Sequence, residues 1–71
     1  MKHSIPENAK KSDLVFLIDE YVRLERDRMI LKEKWFQGLT FEELAEKYDL
    51  STNATKNIVY GIGDKVLLKL K

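Results

Sequence analysis

Beyond residue 11 the apolar side chains recur every three or four positions, the spacing of amphipathic helices. A first stripe runs through Leu14, Leu17, Ile18, Tyr21, Val22 and Leu24. Ser12 ahead of it is a good N-cap, and Asp13 places a negative charge in the first turn, where the helix dipole favours it. The unbroken run Leu14-Val15-Phe16-Leu17-Ile18 covers most of the helix circumference. Such a helix is either central or meets another chain. The charged stretch from Arg23 to Arg28 leaves a kink, a break or a solvated helix surface open. A second stripe, Met29, Ile30, Leu31, Trp35 and Phe36, ends at Gly38, a residue suited to the left-handed position after a helix.

The sharpest local signal follows. Thr40 and Glu43 have the spacing of a capping box, and Leu39 and Leu44 flank it as a hydrophobic staple does. They predict a short helix from Phe41 to Tyr48, interrupted by Asp49 and Leu50. Ser51 caps a further helix from near Thr52. Its inward stripe is Thr55, Ile58, Val59, Ile62 and Val66, all within about 100° of arc. Gly61 and Gly63 each cost about 1 kcal/mol relative to alanine inside a helix. A kink or an end is therefore expected near them, with Val66 to Leu70 as a separate turn. No strand pattern and no repeat is present. The expected fold is all-α, a small three- to four-helix bundle.

Seventy-one residues suffice for one domain, placed at residues 12–71 behind a flexible arm at residues 1–11. The chain is 44% hydrophobic and 35% charged, a globular composition. It has no cysteine, which excludes disulfide scaffolds, zinc fingers and thiol nucleophiles. The lone His3 has no histidine or cysteine to join it around a metal. Neither a long apolar span nor an apolar leader occurs, so a cytoplasmic location is expected and the Asn53-Ala54-Thr55 glycosylation sequon is coincidental. The carboxylate pairs Asp19/Glu20 and Glu42/Glu43 are adjacent, and adjacent helix residues do not face each other. No catalysis and no cofactor is assigned.

Charge changes the picture more than its net value of +1 suggests. Residues 1–50 hold nine Lys/Arg against eleven Asp/Glu, whereas residues 51–71 hold Lys56, Lys65, Lys69 and Lys71 against Asp64 alone. A basic carboxyl end behind an acidic body allows one face to meet an anionic partner.

A short helix, a tight turn and a capped helix make a helix-turn-helix. Ala45 stands where the two helices cross closely, and Leu44, Tyr48, Leu50 and Ile58 occupy positions that must be apolar. Asp49 takes the turn position where glycine is common, and Thr55 stands where valine or isoleucine is usual. The plainer reading of the same pattern is a helical hairpin in a small bundle.

Residues 28–60, above all TFEELAEKYDLSTNATKNIVY at 40–60, resemble DNA-binding region 4 of bacterial sigma factors and their small sigma-like relatives. The likeness is carried by Trp35, Phe36 and Gly38, then Leu39-Thr40, the Glu42-Glu43-Leu44-Ala45 stretch and the serine-capped helix. It implies a four-helix reader of promoter-type DNA, bacterial or from a phage or mobile element. It does not imply a working sigma factor, because the other regions, which melt promoters and hold polymerase, are not expected in this chain, and RNA polymerase enters only through the docking alternative below.

With Thr55, Ile58, Val59 and Ile62 inward, Asn53, Lys56, Asn57 and Tyr60 project outward from the second helix of the motif. Such a helix enters the major groove by its amino-terminal part. Asparagine can pair with adenine, lysine can reach guanine or phosphate, and Thr52 can bond a backbone phosphate. The candidate DNA-binding residues are thus Thr52, Asn53, Lys56, Asn57 and Tyr60. The function expected is a sequence-specific transcriptional regulator. The alternatives are a protein-interaction module docking on polymerase or another regulator, favoured by the near-neutral charge, and a structural subunit. The apolar run in the first helix and Val66, Leu67, Leu68 and Leu70 suggest a homodimer.

Overall fold

A computed structural model of the chain describes residues 10–70. Most of the expected arm lies outside them. The described residues are helical with no strand, in four helical stretches. Helix α1 is Lys11–Tyr21. Ser12 is not its cap: the Leu14 N–H donates to the Lys10 carbonyl at 3.1 Å, so the helix begins two residues earlier and Lys10 takes the N-cap position without a side-chain bond. Leu14 and Ile18 are buried one turn apart, while Phe16 is 63% exposed. α1 is therefore a surface helix with an apolar residue on its outer side.

The charged stretch contains a break. Val22 and Leu24 are extended, and α2 starts at Glu25, with Glu25 and Asp27 in its first turn. Arg28 holds the corner: Nε donates to the Val22 carbonyl at 2.6 Å and a terminal nitrogen to the Arg23 carbonyl at 3.1 Å. These two carbonyls belong to backbone outside any helix, so the guanidinium replaces ladder bonds they lack.

α2, Glu25–Lys32, continues into a π turn, Glu33–Gln37. Gly38 ends it in the left-handed conformation at φ 76°, as its position in the sequence predicts. α3, Phe41–Lys47, opens with the expected capping box. The Glu43 N–H donates to Thr40 Oγ1 at 3.1 Å, and the Thr40 N–H donates to Glu43 Oε1 at 2.8 Å. After α3 the chain passes through α4, Thr52–Asn57, a second π turn, Ile58–Ile62, and α5, Gly63–Leu68. Right-handed helical angles at Ile58, Ile62 and Gly63 make these one unbroken helical path. The glycines do not end it.

The core joins every helical stretch: Ile18, Val22, Ile30, Leu31, Leu44, Val59 and Val66 form one buried cluster. Trp35, Phe36, Leu39, Tyr48, Leu50, Ile58 and Ile62 pack around it, half-buried. Thr55 is fully buried, and its hydroxyl donates to the Ser51 carbonyl at 2.9 Å, which removes the cost of burying it.

Candidate nucleic-acid interface

The turn between α3 and α4 closes by two backbone bonds. The Leu50 N–H donates to the Ala45 carbonyl at 2.8 Å, and the Asp49 N–H donates to the Glu46 carbonyl at 3.4 Å. This six-to-one and five-to-two pair is a Schellman motif, which needs a left-handed residue between helix and exit. Asp49 supplies it at φ 58°. Ser51 then caps α4, its Oγ accepting from the Ala54 N–H at 3.0 Å. Ala45 is 7% exposed, so little room exists beyond its methyl group.

A polar trio fixes the first helix of the motif to the π turn that follows α2. Glu33 is 5% exposed. Its Oε2 accepts from Lys47 Nζ at 2.8 Å and from the Tyr48 hydroxyl at 2.9 Å. Its Oε1 is buried and has no hydrogen-bond partner among the described residues. Burial, then the hydrogen bond to Glu33 and the Glu33 charge, push the Tyr48 phenol up to about 12. Sequence reasoning assigned Tyr48 to the core and passed over Glu33, because a carboxylate between lysines reads as solvated surface.

The five candidate residues lie as follows. Asn53, Lys56, Asn57 and Tyr60 are exposed along α4 and the π turn, while Thr52 is half-buried at the start of α4. The side chains of Asn53 and Asn57 make no hydrogen bond to another described residue, so their amides are open to a ligand. The Lys56 ammonium sits 5.8 Å from the centroid of the Phe41 ring, and the Tyr60 ring meets Phe41 edge-on at 5.5 Å. Lys34 approaches the same ring at 4.3 Å, and its ammonium also donates to the Leu39 carbonyl at 3.1 Å. Phe41 and Lys34 were missed by pattern reading. An aromatic residue at the first position of a short helix was the only sign.

Among the described residues no cluster of histidine and carboxylate side chains could hold a metal ion, and no helix is long and apolar enough to cross a membrane.

A capped helix, a Schellman turn and a second capped helix crossing at a small residue define a helix-turn-helix domain of the DNA-binding class. The chain belongs to the Sigma-70 region 4 family, whose model matches residues 25–60. That stretch takes in α2, its π turn, the whole helix-turn-helix and part of the second π turn. Sigma-70 region 4 is a DNA-binding region rather than an enzyme, which supports a DNA-binding regulatory role here. No curated protein and no solved structure matches the chain significantly.

Proposed function

We propose that this protein is a sequence-specific DNA-binding transcriptional regulator that reads the major groove with α4. The observation that carries this reading is the outward row of Asn53, Lys56, Asn57 and Tyr60 on a helix whose inner face is locked by Thr55 and Val59. Asparagine amides offer a donor and an acceptor at the spacing adenine presents, and Lys56 offers charge to guanine or phosphate. Thr52, at the helix start, is placed for a backbone phosphate. Selection of bound duplexes from a random pool tests the reading. A recovered site whose affinity falls with added salt supports it, and an empty selection at low salt overturns it.

A second reading rests on a different observation. A cavity of about 260 Å³ opens between the α1–α2 corner and α5, lined by Tyr21, Val22, Leu24, Ile62 and Val66 together with the charged Arg23, Asp27 and Lys65. Leu24 is 57% exposed. This partly apolar surface, lined by none of the candidate DNA-binding residues, suits a protein surface: RNA polymerase or a second copy of the chain. Sedimentation at high micromolar concentration separates a homodimer from a monomer that docks on polymerase. The protein would act inside the cell of a bacterium or phage host, where promoter DNA is reached.

A further inference from the structure

Three groups converge on the Phe41 ring at the start of α3. The Tyr60 ring stands edge-on at 5.5 Å with the planes at 69°, and the ammoniums of Lys34 and Lys56 lie 4.3 Å and 5.8 Å from the centroid. Edge-to-face rings and ammoniums beside a ring face are both attracted by the aromatic quadrupole. Phe41 itself is half-buried and packs on the core, but core packing does not account for its neighbours, because Tyr60 is 41% exposed and Lys56 is exposed. Two like charges also meet at one ring, and neither lysine has an ion pair with a carboxylate among the described residues. A negative surface would relieve that repulsion.

Tyr60 and Lys56 are four residues apart on the exposed side of the recognition helix, and Phe41 touches both from the other helix of the motif. We propose that Phe41 is a positioning residue for DNA readout, holding Tyr60 and Lys56 in the arrangement in which they meet the groove. This rests on the DNA-reading function proposed above. Long exposed side chains lose rotamer freedom when they bind, and a ring that orders them beforehand removes part of that cost. Lys34, tied to the Leu39 carbonyl, flanks the same ring.

The test is a double-mutant cycle read on DNA. The probes are the duplex that the wild-type protein recovers from a random pool and its scrambled counterpart. Phe41→Leu keeps apolar volume but removes the quadrupole, and it should weaken the recovered duplex by about three- to tenfold. In a Tyr60→Leu background the same substitution should cost less than about twofold, because its main target is gone. Phe41→Tyr keeps the ring and should bind as wild type does. Phe41→Leu should also abolish the ring-current shifts of the Tyr60 ring and the Lys56 ε-methylene, a signature that a stability change alone does not produce. All affinities are taken well below each variant's melting midpoint, so a destabilised Phe41→Leu remains informative. Equal losses in both backgrounds, or no loss in either, overturn the positioning role while leaving DNA reading intact. A wild-type protein that recovers no duplex overturns DNA reading and the positioning role together.

Discussion

Gly63 faces the indole of Trp35. A Cβ built on Gly63 would stand 2.9 Å from Trp35 Cζ2 and 3.4 Å from Leu31 Cδ2, so the missing side chain is what lets α5 lie against the end of α2. Trp35 is half-buried on the core and cannot swing aside without opening it.

Gly63→Ala should therefore overpack this crossing and destabilise by about 1–3 kcal/mol. Gly61 is two residues away and its Cβ would meet nothing within 4 Å. Gly61→Ala should stabilise by about 0.5–1 kcal/mol through reduced backbone entropy. Thermal melts check both, at about 4–8 °C per kcal/mol for a domain of this size. Shifts of the same sign in the two variants would contradict the account.

Ala45→Leu should destabilise by about 1–3 kcal/mol, because the α3–α4 crossing leaves its methyl group only 7% exposed. An unchanged melting temperature would contradict close packing of the two helices at this point.

Tyr48 should give the fold a pH limit on the alkaline side. Its phenol ionises near 10 when unfolded and at about 12 when folded, so the unfolded chain loses its proton first. The contribution is complete below pH 10 and fades as the pH rises through 12. Tyr48→Phe should flatten that part of the stability profile while leaving an analogous fall from other groups. Tyrosinate absorbance, compared between wild type and Tyr48→Phe, should show the difference titrating near 12 rather than near 10.

Lys56 and Asn57 are neighbours on α4 with different chemistry. Lys56→Ala should weaken all duplexes alike and lower the salt slope by about one unit, since a flexible ammonium is suited to phosphate. Asn57→Ala should cost about 1–3 kcal/mol on the preferred duplex only, leave the salt slope unchanged and relax preference at one base pair. Affinities for preferred and scrambled duplexes across salt separate the two. No effect from either would mean that this face does not touch DNA.

Legibility in the sequence followed locality. The capping box at Thr40 and Glu43, the serine cap of α4 and the left-handed Asp49 are decided within a few residues, and pattern reading located all of them. The Ser12 cap was a local misreading, since the helix takes Lys10 as its N-cap, and what pattern reading left open or passed over depends on groups further along the chain. The break after Tyr21 is stabilised by Arg28, six residues beyond the Val22 carbonyl it binds. Glu33 becomes a buried acceptor only because Lys47 and Tyr48 arrive from another helix. The candidate DNA face was legible as an outward stripe, whereas Phe41 joins it through tertiary placement that no helical spacing encodes.

The π turn at Ile58–Ile62 acts as a phase shifter between the α4 and α5 ends of one helical path. It accommodates one residue more than an α-turn does, so the faces beyond it are set back by about 100°. A uniform α-helix would aim Ile62 at the core at this level, but Gly63 is the buried residue while Ile62 is only half-buried. Removing one residue from 58–62 would take out that extra residue, so that a regular α-helix could run through the segment with Val66 still in the core.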